Sequence, residues 1–399
     1  MEKNKIIIYT PYFYPEPFPI NTFAKELSER KNIDEVLIIT SLPNYRKYGY
    51  YEGYNIAGPY SENINKLKIK RVPVIPRLSN STFSIFFFYL SFLLSSLIYL
   101  IYFGILNRGK YNHVLTFCGS PVFIGYIGFI FSKLIGSKSS LWIQDIWPEA
   151  IETTIGLKNN MIRNFILFLQ NRMFTLCDIL FCESESLSNY LKSRYSKKVV
   201  TLYNPIREEQ IIFNHQRKEI VLNDHIEYSY IGNMGSAQNI ELIVKSFLKA
   251  KILNSKLNMC GDGNLLGYLS KKYENENINW HGWIEGEKLD EIFNKTDFLV
   301  MSLNSKGRQS LIIPSKIQTY FMKKKPILCI SKGACSELIK KNYCGLVCED
   351  FQEFNVIDLY KKSLQLTNDE KETMGQNAYN FYKNNFTKEE IVNKFLKVL

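Results

Sequence analysis

The chain has 399 residues, 46% of them apolar and 22% charged, with 50 Lys and Arg against 38 Asp and Glu for a formal charge of +12. That length exceeds one ordinary core and predicts two domains, while the composition excludes a largely disordered chain and the lack of any repeat of a few tens of residues excludes a solenoid. The positive balance predicts an anionic partner and leaves nucleic acid, an acidic membrane leaflet and phosphorylated substrates open.

The 8 Cys are scattered, and neither Cys177/Cys182 nor Cys344/Cys348 has CxxC spacing. They predict buried, reduced thiols in a cytosolic protein, and the first residues do not read as a secretion signal. Basic knots at 66–71, 192–198 and 323–325 read as solvated faces.

Residues 6–9 (Ile-Ile-Ile-Tyr), ended by Thr10-Pro11, predict a buried first strand. A polar helix over 21–30 and a second apolar run at 36–40 complete a βαβ unit, the start of a parallel sheet. Further strands are predicted at 68–72, 114–117, 141–144, 179–181 and 199–202. After Asn204-Pro205 the polar stretch 207–224 predicts a domain boundary. A second series follows at 228–231, 256–260, 278–281, 298–302, 327–330 and 346–348, with helices at 240–250 and 289–294 between strands. Two such series predict an α/β protein of two doubly wound, Rossmann-like domains facing a cleft, with ligands outside the carboxyl ends of the strands. Thr387, with Glu390 three residues on, predicts a capping box opening the last helix.

Residues 82–106 carry no charge and are long enough to cross a bilayer. Arg71 and Arg77 precede them and Arg108 and Lys110 follow, whereas a span is oriented by an excess of basic residues on one side. Crossing would also sever the first sheet. The reading preferred here is a helix, or helical pair, lying on a membrane surface; a buried core helix and a true span are the alternatives.

The turn after the first strand, Thr10 to Pro17, has no GxGxxG, which disfavours a dinucleotide oxidoreductase. Its Pro and aromatic residues suit either a wall facing a bulky ligand or a rigid turn. In the second half, Gly232-Asn233-Met234-Gly235-Ser236 leads toward a helix, and Gly261-Asp262-Gly263 and His281-Gly282-Trp283 follow the next two strands. Glycine at strand-to-helix turns lets backbone N–H groups converge on an anion, so these turns predict a phosphate or nucleotide pocket. Asp145 and Glu149, after the strand at 141–144, are placed for base work or for hydroxyl recognition, the alternative being a turn cap and an exposed carboxylate. Lys306-Gly307-Arg308 and Pro314-Ser315-Lys316 offer cations and N–H groups to a diphosphate.

With these residues the chain resembles a family-4 glycosyltransferase of the GT-B fold, and most of all the bacterial capsule and O-antigen branch similar to N-acetyl-L-fucosamine transferases. The likeness runs through Pro11 to Glu16, Pro43-Asn44-Tyr45, Gln144 to Glu149, Asn204-Pro205, Gly232 to Gly235 with Gln238, Gly261 to Gly263, Pro314-Ser315-Lys316, Lys325-Pro326-Ile327, Glu337-Leu338-Ile339 and Gly345-Leu346-Val347. It implies transfer of a sugar, with retained configuration, from a nucleotide diphosphosugar, UDP-linked by expectation. No metal and no cofactor beyond that substrate are implied, and no Asp-x-Asp pair stands at a strand end.

By that resemblance residues 206–375 bind the donor, and residues 1–205 with 376–399 bind the acceptor. Gly232, Asn233, Gly235, Arg308, Pro314, Ser315 and Lys316 would surround the diphosphate, with Gly263, Gly282 and Trp283 near the base and Thr319 toward the ribose. Asp145 and Glu149 would be catalytic, and Tyr12, Glu16 and Asn21 would serve the acceptor. Three positions depart from the pattern: Leu311 and Thr319 replace a glutamate pair, and Lys324 replaces a small residue, usually Gly. Loss of the second glutamate weakens a ribose contact by about 1 kcal/mol.

The expected partners are therefore a nucleotide sugar, a polyprenyl-diphosphate-linked saccharide and the inner face of the plasma membrane. The rivals are a catalytically degenerate GT-B protein, an integral membrane or scaffold protein, and a nucleic-acid-binding protein. Nucleic-acid binding would need aromatic residues interleaved with basic ones, and the densest aromatic run, 83–92, contains no Lys or Arg, so no nucleic acid is expected.

Overall fold

The computed structural model describes residues 4–45, 47–79, 81–121, 123–155, 159–206, 225–304 and 307–399. The chain forms two compact units, Met1–Arg207 with Lys388–Leu399, and Glu208–Thr387. The sequence places the divisions at 205/206 and 375/376. The polar stretch 207–224 lies outside the described residues.

Unit 1 is built from β1 (Asn4–Tyr9), α1 (Pro19–Ser28), β2 (Ile33–Ser41), β3 (Ser61–Ile64), β4 (Leu67–Val72), α2 (Thr82–Leu106), β5 (His113–Cys118), α3 (Ile124–Ile135), β6 (Lys138–Ile143), α4 (Glu149–Ile155), α5 (Asn160–Leu176), β7 (Ile179–Cys182), α6 (Glu185–Arg194) and β8 (Lys198–Thr201). The strands are ordered β3-β4-β2-β1-β5-β6-β7-β8, parallel except for β3 against β4. The apolar runs seen in the sequence are the buried central strands, with Ile6, Ile7, Ile8 and Tyr9 fully enclosed. Order reverses between β1 and β5, so the loop after β1 and the turn after β5 meet at a topological switch point.

In α2 a narrow stripe at four-residue spacing, Phe88, Phe92, Ser96, Leu100 and Gly104, is buried. Tyr9 stacks on Phe92 at 5.5 Å and shares a 2.7 Å hydrogen bond with Ser96. A carbon added to Gly104 would lie 3.2 Å from Leu134 Cβ, so glycine lets α2 approach α3 closely. Only 22% of the most apolar stretch of α2 is buried. This is a single helix, and the buried-core alternative is set aside. Arg71 also leaves the basic flank: it is 2% exposed, ion-paired with Glu62, and donates to the carbonyls of Ser41 (3.1 Å) and Tyr14 (2.6 Å).

Unit 2 contains β9 (Ile226–Ile231), α7 (Ile240–Ala250), β10 (Ser255–Cys260), α8 (Leu266–Lys272), β11 (Ile278–Gly282), α9 (Glu287–Lys295), β12 (Phe298–Leu303), α10 (Lys316–Met322), β13 (Ile327–Ser331), α11 (Ala334–Lys341), β14 (Gly345–Cys348), α12 (Glu353–Ser363) and α13 (Asn368–Asn385). Its parallel sheet runs β11-β10-β9-β12-β13-β14. The core of Tyr228, Tyr230, Ile243, Val244, Met259, Val300 and Tyr360 packs α7 and α12 on one face. Helix α13 stays with unit 2 because Phe381 packs edge-on against Phe321 of α10 at 5.6 Å. The chain then rejoins unit 1 as α14 (Lys388–Leu396), where Phe395 packs on Phe23 at 5.2 Å.

The expected capping box at Thr387 is a correction. Thr387 Oγ1 donates back to the Lys383 carbonyl at 3.2 Å, and the capping box forms between Thr367 and Glu370 at the start of α13. The seven described free cysteines are all buried. Lys324, which stands where the resembled family has a small residue, holds φ 57°. Lys324→Gly is expected to stabilise unit 2 by about 0.5–1 kcal/mol once the glycine's extra unfolded-state entropy is subtracted. Scanning calorimetry should show Tm higher by about 1–4 °C.

Candidate functional site

In unit 2 the strand order reverses between β9 and β12, where a doubly wound sheet opens toward a ligand. Tyr320 fixes α10 across that point. Its hydroxyl accepts from Ile231 N–H (2.9 Å) and shares its proton between the carbonyls of Ile231 (3.2 Å) and Val300 (3.1 Å). Lys316, one turn earlier on the same helix face, is thereby aimed at the end of β9. Its Nζ donates to Tyr230 Oη at 2.8 Å and lies 4.2 Å from that ring's centroid. A carbon added to Gly232 (φ 144°) would stand 3.0 Å from the same nitrogen.

Among the described residues no carboxylate pairs with Lys316, and burial pushes its pKa down to about 7. A half-buried ammonium with a cation–π contact and no carboxylate partner among the described residues is poised to be recharged by an arriving anion.

The three glycine turns form one shelf at this end of the sheet. Gly232 N–H donates to the Cys260 carbonyl (2.9 Å), Gly261 N–H to Gly282 (2.7 Å) and Met234 N–H to Asp262 (2.7 Å). A side chain on Gly261 would strike the Gly232 carbonyl, and one on Gly263 (φ 154°) would come within 2.5 Å of the Met234 carbonyl. Close backbone approach is the reason for glycine here. Gly235 precedes a 3-10 turn, Ser236–Gln238, that leads into α7. Asn233 is exposed, with its Nδ2 3.4 Å from Gln238 Oε1. Trp283 is 73% exposed just past β11. Arg308 is half-buried in the 3-10 turn Gly307–Leu311. Pro314 and exposed Ser315 lead into α10, and Thr319 lies one turn from Lys316.

In unit 1 the ends of β5, β6 and β7 carry a second polar cluster. Asp145 accepts from Ser120 Oγ at 2.7 Å, and Trp147 Nε1 donates to the same hydroxyl at 3.1 Å. Burial raises the pKa of Asp145, the Ser120 hydrogen bond opposing it. Glu183, at the end of β7, is missing from the expected set. It is buried, and its pKa is pushed well up by desolvation and then by the charge on Asp145. Asn204 Nδ2 donates to both Glu183 Oε2 (2.8 Å) and Gln144 Oε1 (2.6 Å). Two buried carboxyl groups are thus held at one sheet end, both with raised pKa, and the charge on Asp145 adds to the rise at Glu183. Glu149 is buried in the first turn of α4, where a carboxylate complements the helix dipole.

The three expected acceptor residues have structural work. Glu16 is fully enclosed. One oxygen accepts from the backbone N–H groups of Asn44 and Tyr45 (2.8 Å each) and the other from Phe13 (3.1 Å), while burial lifts its pKa to about 7. It ties the loop after β1 to the 43–45 turn. Asn21 Nδ2 donates to the Glu16 carbonyl at 2.7 Å. Tyr12 is 7% exposed and stacks on Phe18 at 4.8 Å and on Phe88 at 5.4 Å.

Residues 212–381 match the family model described as glycosyl transferases group 1. That match covers most of the second unit. Over 417 aligned residues the chain is 23% identical to an uncharacterized glycosyltransferase from Methanocaldococcus jannaschii, covering 100% of this chain and 98% of that one. Among solved structures it is similar to sucrose-phosphate synthase from Thermosynechococcus elongatus (TM-score 0.71, 12% identity, 99% and 98% of the two chains). It is also similar to Anabaena HepE in complex with UDP (TM-score 0.65, 10% identity, 99% of each chain). The fold is GT-B, with two Rossmann-like domains, and the glycine shelf and Lys316 lie within the residues that match the family model.

Proposed function

We propose that this protein is a retaining glycosyltransferase that moves a sugar from a nucleotide diphosphosugar, UDP-linked, to a lipid-linked saccharide in bacterial surface polysaccharide synthesis. The observation that carries the donor half is the unpaired ammonium of Lys316 beside the glycine shelf at the β9/β12 switch point. Cation and amide dipoles there suit a diphosphate, and they stabilise it further as it departs with developing charge. UDP in the similarly folded HepE supports a uridine nucleotide. In this reading Lys316 and the shelf neutralise the leaving group, so no metal or cofactor is required. Asp145 orients or deprotonates the acceptor hydroxyl, with buried Glu183 at the same sheet end. The capsule-type branch rests on the sequence resemblance.

A thermal-shift screen of UDP-, GDP- and dTDP-sugars tests the donor. The matching sugar at a hundred times its Kd is expected to add about 2.7 kcal/mol of stability, whereas no shift with any of them would refute the reading.

The exposed apolar side of α2, flanked by exposed Arg108 and Lys110, supports a seat on the cytoplasmic leaflet of the plasma membrane. By length and composition α2 could also cross a bilayer. Carbonate washing of membranes is expected to release the protein, and retention would identify a span.

A further inference from the structure

Arg77, in the segment between β4 and α2, sits in a box of four aromatic rings. Its guanidinium carbon lies 5.3 Å from the ring centroid of Tyr12, 5.6 Å from Tyr45, 5.1 Å from Phe88 and 5.2 Å from Tyr89. Tyr12 stacks on Phe88 with 13° between planes, and the backbone N–H of Arg77 donates to Asn44 Oδ1 at 3.3 Å. Rings orient a guanidinium but do not neutralise it. Among the described residues no carboxylate pairs with Arg77. Its side chain donates to Tyr89 Oη at 2.9 Å, while Nε is buried with no acceptor. The Glu16 carboxylate on the Tyr12 side is occupied by three backbone N–H groups. Arg71, by contrast, has its carboxylate and carbonyl partners in place.

A planar cation with unspent donors matches the oxygens of a phosphate. Just beyond Arg77 the chain exposes Leu78 and then, in the first turns of α2, Phe83, Phe86 and Phe87. Cation and apolar surface side by side suit one molecule that is anionic at one end and hydrocarbon at the other.

We propose that Arg77 and its aromatic box bind the phosphate end of a phosphorylated lipid whose chain lies along the exposed side chains of the first turns of α2. The proposal rests on the lipid-linked acceptor put forward above and gives that acceptor an anchor separate from the Lys316 donor site.

Titration calorimetry on the full chain, saturated with UDP to occupy the donor site, tests it with farnesyl diphosphate, farnesol, inorganic diphosphate and phosphatidylglycerol vesicles as probes. Farnesyl diphosphate should bind wild type and lose about tenfold or more in Arg77→Gln, with Arg77→Lys between them and UDP affinity the same in all three. The same Arg77 dependence seen only with the vesicles would support the site and assign the phosphate to a bilayer lipid. Equal affinity of wild type and Arg77→Gln for every probe, or inorganic diphosphate binding as tightly as farnesyl diphosphate, would overturn the proposal. Absence of UDP binding would count against the donor reading alone. Should the variants not fold, a photoreactive isoprenoid diphosphate applied to wild type should label residues 75–90 and be displaced by farnesyl diphosphate, and labelling only elsewhere would overturn it.

Discussion

Lys316→Ala is expected to weaken nucleotide-sugar binding by about 2–3 kcal/mol, roughly 30- to 150-fold in Kd, as a charge-assisted contact to the diphosphate is lost. Isothermal titration with UDP-glucose measures it. The same lysine predicts a pH signature. With its pKa near 7 in the free protein, it takes up a proton when the anion arrives. Wild-type affinity should therefore fall as pH rises past about 7, by up to about tenfold per unit, and Lys316→Ala should lack that slope. UDP-glucose is the right probe because its diphosphate is a diester with no ionisation of its own near 7. Stability follows the opposite sign. A lysine whose folded pKa is depressed contributes stability that is complete above the unfolded pKa and lost as pH falls through about 7, so denaturation midpoints of the free protein should rise with pH across that window.

Asp145→Asn is expected to lower turnover by about 10²–10⁴-fold while donor affinity stays within about twofold of wild type. The carboxylate sits at the end of β6 with Ser120 and Trp147, whereas the groups proposed to hold the diphosphate belong to unit 2. Because burial raises its pKa, the acidic limb of the pH–rate profile should fall above the ordinary Asp range, activity being lost as pH drops and Asp145 protonates. Initial rates across pH, combined with donor titration of the variant, separate this role from that of Lys316. Equal loss of donor binding in both variants would erase the division.

The alternating strands and helices were legible because buried parallel strands are short apolar runs between turn residues, and the runs at 6–9, 228–231 and 298–302 each fall inside an observed strand. Strand β3 was not legible: Ser61-Glu62-Asn63-Ile64 is a half-exposed antiparallel edge without an apolar run. The glycine turns were readable one by one, but their lacing depends on β11, β10 and β9 being neighbours, which is a property of topology. Glu183 is hidden in the sequence because Cys182-Glu183-Ser184-Glu185 looks like a polar surface run, and its burial comes from sitting at the end of β7, a strand paired on both sides. In the sequence Arg77 reads as a basic flank, since its box draws on positions 12, 45, 88 and 89, which no local pattern links. Glu16 shows the converse: its motif is recognisable in the sequence, but the three backbone donors that engage its carboxylate come together only in the folded chain.

Hydrogen exchange on the wild-type chain with and without UDP-glucose bears most directly on the central claim, that the second unit grips a diphosphate through the glycine shelf and Lys316. Slowed exchange is expected in residues 230–240, 260–266 and 315–322, where the shelf and α10 meet at the β9/β12 switch point. Unchanged exchange in those segments under saturating nucleotide sugar, or protection confined to unit 1, would contradict it.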